Sequence, residues 1–296
     1  MTQIIECIPN FSEGRDKTII DGLAEVITST PGVTLLDHSA DSSHNRSVYT
    51  FIGSGTGVTQ AAISLAKYAA RYIDLTRHTG EHPRMGAVDV IPFVPLKNAT
   101  MEDCIAISKE VGAAIAREAG IPVFLYENSA PCEARRNLAD IRRGGFKGMA
   151  KKIRLPEWKP DYGETLHPTA GAVAVGARMP LIAFNVNLST SDISIANKIA
   201  KTVRGSSGGL KYCKAIGIML HDPGIAQVSM NMVNYESTPL YRALELIRAE
   251  AHRHGVGITG TELIGLAPAK ALIDCAEYYL QIENFDYARH VLENHF

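Results

Sequence analysis

The run Asp74-Leu75-Thr76-Arg77-His78-Thr79-Gly80-Glu81-His82-Pro83-Arg84-Met85-Gly86 carries the densest set of ionisable side chains in the chain, between an amphipathic stretch and an apolar one. Imidazoles titrate near neutral pH, so a histidine here has the chemistry to take a proton from a reacting group and return it. Glu81, Asp74 or Asp89 could fix the tautomer of such a histidine or raise its pKa. Pro83 pushes His82 toward an extended backbone and stiffens the chain beside it. A solvated polar loop is the competing reading. His78 to His82 also spells H-x-x-E-H, the pattern of one zinc peptidase class. That mechanism needs one helix face to present both imidazoles, and Gly80 within the pattern and Pro83 after it work against a helix.

Other motifs are weaker. Gly53-Ser54-Gly55-Thr56-Gly57 lies where a phosphate loop would, but it lacks both the G-x-G-x-x-G spacing and a G-K-[ST] ending, which favours a tight turn and helix cap. Gly205 to Gly209 reads as a flexible helix-to-strand link. Asn10-Phe11-Ser12-Glu13-Gly14 and Asn185-Val186-Asn187 are polar interruptions of apolar runs and need partners if buried.

The elements that must position these groups follow from periodicity. Strand-like runs are expected at Ile4–Pro9, Val33–Ser39, Ser47–Gly53 and Val88–Val94, with helices at Asp16–Ser29 and Thr56–Ile73. The order is β-α-β-β-α-β, that of a ferredoxin-like split unit. A helix capped by Thr100 and Asp103 and a strand at Ile121–Tyr126 come next. Residues 127–171 read as a long, partly ordered connection, with a short helix around Glu133–Arg143. After a small-residue run at Ala172–Ala177, the same element order returns. It comprises Leu181–Leu188, helix Asp192–Arg204, strands Cys213–Leu220 and Ile225–Val233, helix Pro239–His254 and strand Val256–Gly260, with a final helix at Pro268–Glu283. The expected fold class is therefore α/β (α+β), a two-lobed α/β sandwich with a ferredoxin-like unit and extra elements in each lobe.

Composition narrows the function classes. Thirty basic against 31 acidic residues give a net charge of -1, and aromatic residues make up 7%, so neither nucleic acid nor an anionic membrane is expected as a partner. Five cysteines without a C-x-x-C argue against a disulfide framework and for a reducing cytoplasm. Neither a signal peptide nor a membrane span is expected, because no basic lead precedes an apolar core and no apolar run approaches about eighteen residues.

Five blocks carry a family resemblance: Glu6 to Arg15, Asn45 to Phe51, Arg77 to Ala87, Gly176 to Arg178 with Leu181 to Leu188, and Thr261 to Leu266. They resemble the glutamate formimidoyltransferase family, most specifically through Gly80-Glu81-His82-Pro83-Arg84-Met85-Gly86-Ala87. The resemblance implies transfer of a formimidoyl group between N-formimidoyl-L-glutamate and N5 of tetrahydrofolate, in histidine degradation. It implies His82 as the catalytic acid/base and a folate-binding segment at Gly163, Glu164, Thr165, Leu166, His167, Pro168, Thr169, Ala170, Gly171 and Ala172. Ser39 stands where animal relatives carry an acid, which leaves Asp37 as the nearby carboxylate.

Asn10, Asp37, Arg84, Arg178 and Asn185 are further substrate-site candidates. The substrates bring several carboxylates, for which Arg46, Arg77, Arg84, Arg178 and Lys211 are the available cations. Tetrahydrofolate is implied as co-substrate, with no metal. The family form further implies subdomains at 1–180 and 181–296, a substrate passage between lobes lined in part by Gly163 to Ala172 and Asn185, and a cytoplasmic homodimer. A stand-alone transferase without a cyclodeaminase domain is expected. Formyl transfer by the same site and, less favoured, zinc hydrolysis are the alternatives.

Overall fold

Pro9 has no amide proton, so a strand that enters the sheet at Ile4 cannot keep its ladder through that residue. In the computed structural model, which describes residues 3–80, 84–220 and 224–295, it divides into β1 (Ile4–Cys7) and β2 (Asn10–Phe11). Both halves lie between the same two neighbours, and Pro9 still accepts a hydrogen bond from Tyr49 N at 3.1 Å. The chain separates into two compact units, Met1–Arg178 and Met179–Phe296.

In the first unit, helix α1 (Lys17–Thr28) begins where Asp16 accepts from Thr18 and Ile19 backbone amides, and it buries Ile20, Leu23 and Ile27. Edge strand β3 (Val33–Asp41) pairs with β4 (Arg46–Gly53), and α2 (Gly55–Tyr72) follows. Ser54 caps α2 by accepting from Gly57 N. A Cβ on Gly53 or Gly57 would meet the Gly32 carbonyl at 2.5 or 2.9 Å, so these glycines serve a close turn and cap, in line with the expected reading.

Strand β5 (Val88–Lys97) leads into α3 (Met101–Ala119), whose Thr100–Asp103 capping box is present. Strand β6 (Val123–Glu127), α4 (Leu138–Arg142), α5 (Gly145–Lys152) and β7 (Val173–Ala177) complete the unit. Its sheet runs β3, β4, then β1 with β2, then β5, β7 and β6; β7 is parallel to both β5 and β6. The parallel part is buried on both faces, as such sheets require. One core joins α1, α2 and α3 to the sheet, and a second joins Met85, Val90, Phe124, Tyr126, Ile141, Met149, Ala172 and Ala174.

The connection 127–171 is more ordered than its composition implies, and the single helix expected at Glu133–Arg143 is broken. Glu133–Arg135 forms a 3-10 turn, and Asn137 accepts from Ala139 N to start α4 separately. Arg135 is buried against Asp161 at 2.8 Å, and Asp161 also accepts from Leu125 N, tying the connection to β6.

In the second unit, β8 (Ile182–Leu188), α6 (Ile193–Val203), β9 (Cys213–Leu220), β10 (Ile225–Met232), α7 (Leu240–Arg253) and β11 (Ile258–Ile264) precede α8 (Ala269–Leu280) and α9 (Tyr287–His290). Its antiparallel sheet has the order β11-β8-β10-β9. Strand β11 starts later than the expected Val256, because Val256 N still closes the end of α7 on Ala251 O at 3.1 Å. Gly205 to Gly209 is a compact turn rather than a flexible link: a Cβ on Gly209 would stand 2.3 Å from the Thr202 carbonyl.

Removing Arg135 leaves a part-buried carboxylate beside β6. Arg135→Ala is expected to lower stability by about 3 kcal/mol, measured by urea unfolding, the usual cost of breaking a buried pair from one side.

Candidate active site

Between β5 and the neighbouring strand β2, Val90 pairs with Asn10 and Val88 with Phe11, so Asp89 is the extra residue of a bulge. The bulge re-aims a buried carboxylate, 2% exposed, onto the loop before β5. Asp89 Oδ1 accepts from Met85 N at 2.8 Å, while Oδ2 lies 2.5 Å from Arg142 Nη2 on α4. Phe146 N, in α5, donates to the Arg84 carbonyl at 2.9 Å. The loop's C-terminal flank is thus fixed from the sheet and from the helical cover together.

The same flank is stitched to the end of the expected folate segment. Ala172 N donates to Met85 O at 3.0 Å, Ala87 N to Ala170 O at 2.9 Å, and Leu75 N to Thr169 O at 2.9 Å. A Cβ on Gly86 would sit 2.0 Å from Ala172 O and one on Gly171 2.2 Å from Met85 O, so the two chains approach closer than any side chain permits. His82, expected as the catalytic residue, lies with Glu81 and Pro83 outside the described residues. Its described flanks, Gly80 and Arg84, adjoin each other: a Cβ on Gly80 would meet Arg84 Nη2 at 2.6 Å and His44 O at 2.5 Å.

Within the expected folate segment the residues divide by exposure. Gly163, Glu164, Thr165 and Pro168 are exposed, Leu166, His167 and Thr169 are half-buried, and Ala170, Gly171 and Ala172 are buried. His167 and Gly171 exchange backbone hydrogen bonds at 3.2 and 3.1 Å. His167 Nδ1 accepts from Ala170 N at 2.9 Å, and burial lowers the pKa of the ring, so the neutral imidazole is the form that fits this turn.

The cations separate by what they touch. Arg84 donates to the carbonyls of His44 at 2.7 Å and Asn45 at 3.2 Å, and its Nη1 lies 2.5 Å from His78 Nδ1. Burial and then Arg84 lower the pKa of His78, and a guanidinium against its ring nitrogens opposes a metal there. Arg77 is 88% exposed with Asp74 at 3.8 Å, the geometry of a solvated pair. Arg178 donates its backbone amide to Phe93 O at 3.0 Å and acts electrostatically on Glu6, whose pKa burial raises. Asn10 donates to Ile8 O at 2.9 Å and accepts from Arg46 Nη2. Asp37 is exposed on edge strand β3, opposite Thr50 of β4, whereas Asn10 lies on the far side of β4. Arg142 was not among the expected site residues, and Asp89, expected as a carboxylate for a loop histidine, has Met85 N and Arg142 as its partners among the described residues; the bulge that aims it leaves no mark on hydrophobic periodicity.

In the second unit, Asn185 donates to Glu262 at 3.2 Å, and Gln227, 1% exposed, donates to Asn187 at 2.6 Å and to Glu262 at 3.3 Å. Asn185 and Glu262 are cross-strand partners between β8 and β11, which accounts for the polar interruption of β8. Lys211 stands 5.1 Å from the Tyr212 ring. Among the described residues no group of three or more His, Cys, Asp or Glu is placed to hold a metal, and no helix is long and apolar enough to cross a membrane.

Comparison with known proteins covers both units. A family model described as the formiminotransferase domain, N-terminal subdomain, matches residues 4–178, and one described as the formiminotransferase domain matches 183–293. The chain is 61% identical over 296 residues to a glutamate formimidoyltransferase of Streptococcus pyogenes serotype M1, across 100% of this chain and 99% of that one. It is 46% identical to a glutamate formimidoyltransferase of Thermoplasma acidophilum, across 96% and 94% of the two chains. A formimidoyltransferase-cyclodeaminase of Gallus gallus is 43% identical over 290 residues, which cover 96% of this chain and 53% of that one.

The His167 turn has a pH signature. Its folded pKa lies below the usual value of 6.5, so the unfolded chain binds the proton first as pH falls, and stability present above about pH 6.5 is lost below it. His167→Asn, whose side-chain oxygen can accept from the same amides, is expected to flatten the fall in melting temperature between about pH 7 and pH 5.

Proposed function

The chain belongs to the formiminotransferase family, and from that premise we propose that it is a glutamate formimidoyltransferase. It moves the formimidoyl group between N-formimidoyl-L-glutamate and N5 of tetrahydrofolate, a step of histidine degradation, with tetrahydrofolate as co-substrate. The observation that carries this reading is identity of 61% across essentially the whole of both chains with a protein of that name.

The chemistry makes demands on the loop before β5. As N5 attacks the amidine-like carbon, a new C–N bond forms and N5 must lose its proton. The bond from that carbon to the glutamate nitrogen then breaks, and the leaving nitrogen must gain a proton. One group that is neutral at the start and returns what it takes serves both steps, and we assign it to His82. The stitch of Met85 and Ala87 to Ala172 and Ala170 supports this assignment, because it keeps the loop next to the segment proposed to bind folate, Gly163 to Ala172. The exposed Gly163, Glu164, Thr165 and Pro168 are the part of that segment open to a ligand.

We read the second unit as ferredoxin-like, supported by its β-α-β-β-α-β order and the strand order β11-β8-β10-β9. The first unit is read as the same theme, extended by β6 and β7. The two subdomains are assigned to 1–180 and 181–296. A cytoplasmic homodimer is part of this proposal; five free cysteines are in keeping with a reducing compartment.

A tetrahydrofolate-dependent assay with N-formimidoyl-L-glutamate tests the reading, with N-formyl-L-glutamate as the second donor. Wild type is expected to turn over the formimidoyl donor, and His82→Ala to lose at least about a hundredfold in kcat. Turnover of the formyl donor alone would move the substrate assignment, and an undiminished His82→Ala would remove the base.

A further inference from the structure

Arg46 opens β4 beside Asn10 of β2, and among the described residues its guanidinium has one polar partner, the Asn10 side-chain oxygen. Its Nε is buried without any hydrogen bond. The neighbouring charges do not balance it. Asp89 is the carboxylate that attracts it most, and that group is already committed to Met85 N and Arg142. Asp41 acts more weakly and is paired with His44 at 2.7 Å. Arg142, only 15% exposed, adds a second cation, and its own Nε is buried without a partner. Burial, with repulsion from Arg142 and Arg84, brings the pKa of Arg46 down to about 10. Among the described residues, no carboxylate pairs directly with this half-buried cation.

Resting on the transferase reading above, we propose that Arg46, backed by Arg142, is a binding site for a glutamyl carboxylate. A carboxylate supplies the missing charge and two acceptor oxygens, the geometry a guanidinium fork pairs with best. Both substrates carry a glutamyl group, the one-carbon donor as its body and folate as its tail. Asn10 takes the role of a neutral guide that orients the guanidinium. Arg84, engaged with the carbonyls of His44 and Asn45, shapes the loop.

Steady-state kinetics of R46Q and R142Q, with each substrate varied in turn, tests this. R46Q is expected to raise one KM about ten- to hundredfold, the range for loss of a charge-assisted pair, with kcat within about threefold of wild type. A rise for N-formimidoyl-L-glutamate assigns the amino-acid substrate. A rise for tetrahydrofolate that disappears with a tetrahydropteroate lacking the glutamyl tail assigns the tail. R142Q should move the same KM by a smaller factor, and R46K should recover part of the loss.

Unliganded R46Q should melt no lower than wild type, since an unbalanced charge is removed. If neither KM of R46Q moves more than about twofold, or kcat alone falls, the carboxylate site is overturned while the transferase reading stands. If wild type turns over neither donor, the transferase reading fails and the site is judged by binding. Stabilisation of wild type by L-glutamate that R46Q loses upholds the site, and equal melting shifts in both overturn it.

Discussion

The carboxylate of Asp89 holds together three stretches that the chain keeps apart: β5, the loop that ends at Met85, and α4. A bulge in β5 makes this possible, because an unbroken ladder would alternate Asp89 with its neighbours in register with β2. Each oxygen has one task, accepting the Met85 amide or facing the Arg142 guanidinium, so the buried charge is compensated on both sides. Through Arg142 the helical cover is anchored to the sheet, and through Met85 the ionisable loop is anchored to the same point. Removal of that group would strand a backbone donor and a guanidinium at once.

Much of the frame was legible as periodicity. The capping box of α3 and the apolar run of β5 are local signals, and each element lies where its pattern places it. Residues 127–171 were not legible because their order comes from pairings with no period. Arg135 finds Asp161 across 26 residues, and Lys152 donates to the Ile141 carbonyl at 2.8 Å while standing 3.8 Å from the Trp158 ring. Charge clusters of this kind resemble a solvated loop until the partner of each charge is known.

The site was legible in a different measure. A motif block marked the loop, and the family resemblance implied Gly163 to Ala172 as a separate segment; the close approach of Gly86 and Gly171 is visible only in the structure. The pairing of these segments through Ala172 to Met85 and Ala87 to Ala170 is an isolated antiparallel bridge between Gly86 and Gly171, ahead of the parallel β5–β7 ladder, which composition does not encode. Arg84 lies in the most family-like block and donates to the carbonyls of His44 and Asn45, whereas Arg142 lies in the stretch that reads as a connection and reaches the buried carboxylate.

Charge balance links these observations to proton transfer. Among the described residues, Arg46, Arg84 and Arg142 face Asp89 as the main opposing charge. Such a field disfavours any further cation: His78, half-buried beside Arg84, is held below its ordinary pKa by burial and by that guanidinium. For His78 the neutral imidazole is therefore favoured, the state that accepts a proton. A carboxylate seated at Arg46 reverses part of the field and makes the imidazolium easier to form. By ordinary electrostatic linkage, a carboxylate at the proposed Arg46 site and proton uptake by His78 favour one another.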